Sequence, residues 1–199
     1  MPLSDPQERE LLHLRDIALR GYRRADGLFD VEAELRDTKS YGFGNQDRGW
    51  IAPGEPLHHM RARMTVDEDM LIVAFEAVTE RGPYAICPQA APNFGSLVGL
   101  RVGRGFMRAA NERVGGTMGC THLRELLQPM ATVAFQTLYA VRAKRERPAA
   151  NAEATAEANA QATGAQAAES KPPLLGTCLA YAPDSPVVKR YWPQAYTGR

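Results

Sequence analysis

The spacing of apolar residues changes partway along the chain, and this change constrains the fold more than any other feature. Apolar and charged residues alternate strictly over 29–36, and residues 60–67 repeat the pattern. Alternation with a period of two is typical of strands that bury one face. The predicted hairpins span 14–39 and 60–79, with turns at 25–27 and 67–69 and a loop over 42–56 between them. This part of the chain therefore predicts a small antiparallel sheet with one solvent-exposed face.

After residue 79 the apolar spacing becomes helical. We predict short helices over 88–100 and 106–114, followed by a long amphipathic helix that begins near residue 123 and ends in a cationic segment at Arg147. The apolar positions of the long helix are Leu123, Leu126, Leu127, Met130, Ala134, Leu138 and Val141. Strands followed by helices indicate the α+β class, with a small antiparallel sheet packed on C-terminal helices.

Composition divides the chain into a domain, a linker and a tail. The 199 residues suit one domain of ordinary size with appendages, and we assign residues 1–147 to a single α+β domain. Residues 148–173 are rich in Ala and polar residues and lack bulky apolar ones, so they predict a disordered Ala-rich linker. Apolar and aromatic residues return over 174–199, which predicts a C-terminal tail that docks on the domain.

Charge, hydropathy and cysteine content exclude several classes of function. The 24 Lys and Arg residues nearly balance the 23 Asp and Glu residues, which argues against a nucleic-acid partner. No apolar run approaches the roughly 18 residues of a membrane span, and the N-terminus lacks the pattern of a signal peptide. Cys87, Cys120 and Cys178 are few and far apart, as expected of reduced thiols. We therefore expect a cytoplasmic protein with no membrane partner; its oligomeric state is left open.

A glycine-rich loop that leads into the long helix is the strongest candidate for a functional site. Residues 115–123 read Gly-Gly-Thr-Met-Gly-Cys-Thr-His-Leu. At a helix N-terminus, unpaired N–H groups and the helix dipole favour the thiolate of Cys120, which is the form that binds metals and attacks electrophiles. His122 follows two residues later. The two side chains can share a pocket if the helix begins only after them, with Thr121 as its N-cap.

Other sulfur and imidazole donors could complete a metal site. We predict His58 or His59, Cys87, Cys120 and His122 as ligands, because mixed sulfur and nitrogen donors suit zinc. His58 and His59 alternate faces on a strand, so at most one can point into a shared pocket. The plainer interpretation makes Cys87 a buried core residue and His122 a hydrogen-bonding loop residue. The sequence contains no CxxC or HxxxH pair, so these ligands meet only through the fold.

Several segments carry a resemblance to a known family. They are Gly21-Tyr22-Arg23-Arg24-Ala25-Asp26-Gly27, Ile51-Ala52-Pro53-Gly54-Glu55-Pro56-Leu57-His58, Tyr84-Ala85-Ile86-Cys87-Pro88 and Gly119-Cys120-Thr121-His122-Leu123. Together they resemble the bacterial domain-of-unknown-function family numbered 2889, over almost the whole chain outside the linker.

The order of elements is also similar to the NifU/IscU iron–sulfur scaffold fold, which implies a SufE/NifU-like architecture. In those scaffolds three cysteines, with a nearby Asp or His, hold the cluster. Cys87 matches the middle cysteine and Cys120 the last, whereas Leu57, His58 and His59 stand in place of the first. Imidazole in place of a thiolate moves such a site from an iron–sulfur cluster toward zinc or mononuclear iron.

These observations leave three classes of function open. The leading hypothesis is an accessory protein that carries a transition metal, zinc or iron, or sulfur for a partner protein. The alternative is a small catabolic enzyme with Cys120 and His122 as catalytic residues, in which a metal or His122 assists chemistry on a small-molecule substrate, an aromatic acid or a thioester, whose carboxylate meets Arg61 or Arg63. The third class is a non-catalytic binding module that uses its tail as a lid.

Overall fold

Four antiparallel strands form the predicted sheet. The computed structural model describes residues 3–146, 172 and 174–198. In chain order the strands are β1 (His13–Arg23), β2 (Phe29–Lys39), β3 (Phe43–Asn45), β4 (Gly49–Ile51), β5 (Pro56–Val66) and β6 (Ile72–Arg81). The main sheet has the spatial order β1-β2-β5-β6, and both predicted hairpins are confirmed.

The segment predicted as a loop over 42–56 contains a second, two-stranded sheet. Its strands β3 and β4 have three residues each and pair with each other. The turn between them is closed by Asn45, whose side-chain oxygen accepts hydrogen bonds from the backbone N–H groups of Asp47 and Arg48. Strands this short carry too few residues to show alternation, which is why the sequence pattern did not indicate them.

The two faces of the main sheet differ as the alternation predicts. One face is buried and consists of Phe29, Val31, Ala33 and Leu35 of β2 with Met60, Ala62, Met64 and Val66 of β5. The opposite face carries charged side chains in cross-strand pairs, such as Glu32 with Arg63. We call these the inner face and the outer face of the sheet.

Helices cover the inner face. A 3₁₀ helix (Cys87–Leu97), α1 (Phe106–Val114) and α2 (Thr121–Glu146) follow the sheet in the chain, with a 3₁₀ turn (Gly116–Met118) before α2. Helix α2 packs on β1, β2 and β5 through its buried residues Leu123, Leu126, Leu127, Met130, Ala134 and Leu138. The α+β class and the apolar stripe of the long helix are therefore confirmed. Within the described residues, no helix combines the length and the apolar character needed to cross a membrane.

The chain divides into two units, Met1–Glu146 and Arg147–Arg199. The predicted linker, residues 148–173, lies outside the described residues except for Pro172. The tail contains a 3₁₀ turn (Leu179–Tyr181), α3 (Pro186–Tyr191) and a 3₁₀ turn (Pro193–Ala195). The hydroxyl of Ser185 caps α3 by accepting from the backbone N–H of Val188. Docking of the tail on the domain stays a prediction.

Gly21 of β1 shows how closely the sheet and α2 approach each other. A Cβ atom at this position would lie 1.8 Å from Oγ1 of Thr137, a hydroxyl that donates to the carbonyl of Val133. We expect Gly21→Ala to lower the free energy of unfolding by about 1–3 kcal/mol, because the added methyl group overpacks this contact. Urea denaturation would measure the loss.

Thr137→Ala removes the hydroxyl that the new methyl group would meet. Combining it with Gly21→Ala should therefore restore most of the lost stability. Gly44→Ala is the matched control, because a Cβ atom at Gly44 would meet no atom within 4 Å. An equal loss in Gly44→Ala, or no rescue by Thr137→Ala, would contradict the assignment.

Candidate metal centre

Asp37 places a buried carboxylate on the inner face of the sheet. It continues the inward row of β2 after Leu35, and its side chain is only 1% exposed. Arg15, its partner in the β1–β2 register, donates from Nε to Oδ1 and from Nη2 to Oδ2, each over 2.7 Å. Burial by itself would raise the pKa of Asp37, but the hydrogen bonds and charge of Arg15, together with His58, hold the pKa below its ordinary value. Asp37 is therefore ionised at neutral pH.

His58 stands opposite Asp37 on β5. Its Nδ1 atom lies 2.9 Å from Oδ2 of Asp37. Burial lowers the pKa of His58, and the neighbouring His122 lowers it further, so the imidazole is neutral at neutral pH. Because an ionised carboxylate can only accept, Nδ1 carries the proton of this hydrogen bond. A metal that binds both atoms would displace that proton.

Cys120 lies at the N-terminus of α2. Its carbonyl accepts the first helical hydrogen bond, from the N–H of Arg124 over 2.9 Å, so Cys120 and not the predicted Thr121 is the N-cap. Burial would raise the pKa of the Cys120 thiol, but hydrogen bonds from the His122 side chain and from the backbone N–H groups of Leu123 and His122 lower it overall. The His122 side chain and the N-terminal N–H groups of α2 therefore favour the thiolate.

His122 connects this thiol to the buried carboxylate. Its Nδ1 atom lies 3.9 Å from Sγ of Cys120, and its Nε2 atom lies 3.9 Å from Oδ2 of Asp37. The two side chains can meet because Cys120 precedes the first helical residue and need not follow the helical spacing. The ring of His122 also stacks on His58, with the centroids 3.7 Å apart. Asp37, His58 and His122 each offer one ligand atom, and these atoms lie within 4.8 Å of one another.

A pocket of about 610 Å³ opens beside these side chains. All four residues predicted as ligands contribute to its lining: His58, Cys87, Cys120 and His122. Cys87 and Cys120 lie outside the group of three whose ligand atoms converge, so their role in metal binding stays a prediction. Cys178 belongs to the second unit and is exposed.

Several other candidate residues lie on the outer face of the sheet and therefore do not belong to this site. His59 lies there, with Nε2 2.6 Å from Oε1 of Glu34 and Nδ1 2.9 Å from Oε2 of Glu80. As predicted, only one of the two adjacent histidines faces the pocket. Arg61 and Arg63 also lie on the outer face, where both pair with glutamates. The prediction that these arginines meet a carboxylate at the Cys/His site is therefore wrong.

Sequence reasoning did not place His13 at the site, where its Nε2 atom lies 3.4 Å from Oδ1 of Asp37. It also missed three further residues: Asp37, Arg15 and Glu125. Arg15 bridges the other two, because its Nη1 atom pairs with Oε2 of Glu125 on α2. Glu125 thus offsets the positive charge of Arg15, and the negative charge of Asp37 remains available to a cation. The sequence did contain an indication of Asp37. It lies two residues after Leu35 in the same strand, so its carboxylate is on the same, inner face.

The fold and the site together define an α+β protein in which a one-sided antiparallel sheet and a long helix hold a His/Asp group beside a pocket. The chain belongs to the family described as a protein of unknown function (DUF2889), whose model matches residues 13–136. That range includes Arg15, Asp37, His58, Cys87, Cys120, His122 and Glu125. No curated protein and no solved structure matches the chain, so the comparisons give no support to a SufE/NifU-like or NifU/IscU similarity.

Proposed function

We propose that this protein binds a divalent transition metal, zinc or iron, at Asp37, His58 and His122. The observation that carries the proposal is the convergence of two imidazoles and one carboxylate within 4.8 Å on the inner face of the sheet. Two histidines and one carboxylate are the ligands of many catalytic zinc and mononuclear iron(II) sites, and they leave positions open for water or substrate. This donor set suits a single ion better than an iron–sulfur cluster, which requires thiolates.

The charges around the three donors support a cation. Asp37 is ionised and His58 is neutral at neutral pH, which are the forms that bind metals. Arg15 and Glu125 offset each other. The site therefore carries about one net negative charge before any contribution from Cys120, which attracts a divalent ion and leaves about one net positive charge once the ion is bound.

The pocket favours chemistry on a small molecule over transfer of metal to a partner protein. A carrier has to expose its ligands to the acceptor, whereas Asp37 is buried and the side chains of His58 and His122 are 13% and 22% exposed. Both imidazoles line the pocket of about 610 Å³. A metal bound there would supply a Lewis acid to a carbonyl oxygen or lower the pKa of a bound water. We therefore propose a metal-dependent enzyme, with the accessory carrier as the second candidate.

Metal uptake by protein purified without a His tag tests the proposal. We expect stoichiometric binding of Zn²⁺ and of Co²⁺ to the chelator-treated full chain, measured by elemental analysis and by the visible spectrum of the cobalt form. If Cys120 is a further ligand, the cobalt form will show a thiolate-to-metal charge-transfer band that Cys120→Ser removes. Cys178→Ser, in the second unit, is the matched control and should keep the band. Absence of stoichiometric metal from the wild-type protein would remove the proposal.

A further inference from the structure

We infer that strand β1 is the interface of a homodimer, in which β1 of one copy pairs antiparallel with β1 of a second copy. The two four-stranded sheets then form one continuous sheet of eight strands. The inference goes beyond the proposed metal site and does not depend on it, because it rests on the backbone and side chains of a single edge strand.

The two edges of the main sheet differ in what covers their backbone. On the β6 edge, Ile72 exchanges backbone hydrogen bonds with Gly99 and Leu100, and the pairing of β6 with β5 has two irregularities. Strand β1 pairs with β2 over all eleven residues without an irregularity and contains no proline, and no described strand pairs with its other side. Bulges, prolines and covering segments are the usual protection of an edge against another chain. The β1 edge has none of the three among the described residues.

The odd-numbered residues of β1 direct their backbone groups away from the sheet. At the two ends of the strand, the N–H of Arg24 donates to the carbonyl of Leu28, and the carbonyl of Leu12 accepts from the N–H of Ser40. Hydrogen-bonded residues alternate along an antiparallel ladder, so the even-numbered residues between 12 and 24 bond to β2. The groups left for another strand belong to His13, Arg15, Ile17, Leu19, Gly21 and Arg23.

Charge selects one register for the pairing of two copies. Asp16 is the only acidic residue of β1, and Arg20 is the only arginine that β1 carries on the outer face. In a continuous sheet the two outer faces are adjacent, so the arginine of the second copy's β1 that Asp16 can meet is Arg20. Among the described residues, neither side chain forms an ion pair that would have to break. Two-fold symmetry forms the new ion pair twice.

This register also matches the backbone of the two strands. It places Ala18 opposite Ala18 of the second copy, at the middle of His13–Arg23, so the two strands overlap over their whole length. Odd-numbered residues then face odd-numbered residues, and their outward N–H and C=O groups can pair. The first and last residues of the strand face each other at both ends and add no charge complementarity.

The apolar residues of β1 support the same register. It pairs Leu14 with Tyr22 on the outer face and Ile17 with Leu19 on the inner face. Ile17 is 36% exposed in the single chain, although its partner in β2, Leu35, is fully buried at 0%. Leu14 and Tyr22 are also exposed. Pairing with a second copy removes apolar surface of these side chains from water, which favours association.

Helix α2 leaves room for the second copy. It packs on β1, β2 and β5, so it lies over the middle strand of these three, β2. Three strand spacings separate β2 from β2 of the second copy, which amounts to roughly 14 Å. Helices in contact have axes about 8–10 Å apart, so the two α2 helices would not collide.

Sedimentation equilibrium of the full chain tests the interface. We expect a dimer with twice the 21.9 kDa mass of the chain. Asp16→Arg places like charges opposite each other at two points and should weaken association at least about tenfold. Adding Arg20→Asp reverses both members of each pair and should restore association to within about threefold of the wild type. Glu76→Arg is the matched control, because Glu76 lies on the outer face of the other edge strand, and it should leave association unchanged.

A cysteine cross-link tests the register directly, also if Asp16→Arg fails to fold. In a Cys178→Ser background, which removes the exposed native thiol, Ala18→Cys should give a disulfide-linked dimer on oxidation with copper phenanthroline and oxygen. Facing residues of a non-hydrogen-bonded pair have Cα atoms about 4.5 Å apart, within the range of about 4.4–6.8 Å that disulfides span. Ala74→Cys, on the outer face of β6, is the control and should stay uncross-linked.

Three results would overturn the inference. The first is a wild-type chain that stays monomeric at millimolar concentration. The second is a dimer that Asp16→Arg leaves as tight as the wild type. The third is a dimer that cross-links through Ala74→Cys and not through Ala18→Cys, since its interface would lie elsewhere. The metal site is unaffected by each of these results, because zinc uptake is measured separately.

Discussion

Replacing His122 with alanine is expected to lower the affinity of the protein for Zn²⁺ by at least ~100-fold. Changing a residue that only hydrogen-bonds to a metal ligand typically lowers metal affinity about 10–100-fold, and loss of a ligand itself should lower it more. Competition with a chromophoric chelator would measure the affinity. His122 is at the second position of α2, before the buried residues of the helix begin at Leu123, so the fold should survive. Circular dichroism and urea denaturation would confirm that it does.

His59→Ala is the matched control. The side chain of His59 is 21% exposed against 22% for His122, and His59 is adjacent to the proposed ligand His58 but lies on the outer face. We expect its removal to leave zinc affinity within about twofold of the wild type. Equal losses in the two variants would show that imidazole content, and not this arrangement, determines metal binding.

Arg15→Met is expected to lower the free energy of unfolding at pH 7 by about 3–5 kcal/mol, because it leaves the buried carboxylate of Asp37 without its main partner. Arg15 makes two hydrogen bonds to that carboxylate, and methionine keeps an apolar chain without the charge. Urea denaturation would measure the change. Arg63→Met is the control, since Arg63 pairs with Glu32 on the exposed outer face and such pairs contribute at most about 1 kcal/mol.

The stability lost in Arg15→Met should depend on pH in a defined direction. In the wild type the pKa of Asp37 lies below its unfolded value, so its contribution to stability is present above that unfolded value, near 4, and is lost as the pH falls through the folded pKa. Without Arg15, burial would raise the pKa of Asp37 above the unfolded value. The deficit of Arg15→Met should therefore be largest near neutral pH and shrink as the pH falls toward 4. A deficit that stayed constant over this range would contradict the assignment of Asp37 as the cause.

Period-two alternation predicted the sheet, its buried face and one side of the site. It placed His58 and His59 on opposite faces, as the structure confirms. The same parity places Arg61 and Arg63 with His59, so the sequence already contained the evidence against their predicted role. Alternation also extends from Leu35 to Asp37 within the predicted hairpin, but the strict apolar–charged pattern ends at residue 36, and a carboxylate does not continue an apolar row.

The helical part of the site was predicted in outline and wrong in one detail. The glycine-rich loop, the thiol and the imidazole were correctly placed at the start of the long helix, but the N-cap is Cys120 instead of Thr121. Neither propensity nor periodicity fixes a helix end to one residue. The bridge from Arg15 to Glu125 joins residues far apart in the chain and was beyond any local pattern.

The three proposed donors come from β2, β5 and the start of α2, so no short peptide from this protein contains the whole set. An ion could assemble its coordination sphere only after long-range closure of the chain, so loading would follow folding, unlike in domains that a metal nucleates. A bound ion would cross-link the start of α2 to strands β2 and β5. Holo and apo chains would then differ in the free energy of unfolding by an amount that grows with the ratio of the free metal concentration to its dissociation constant.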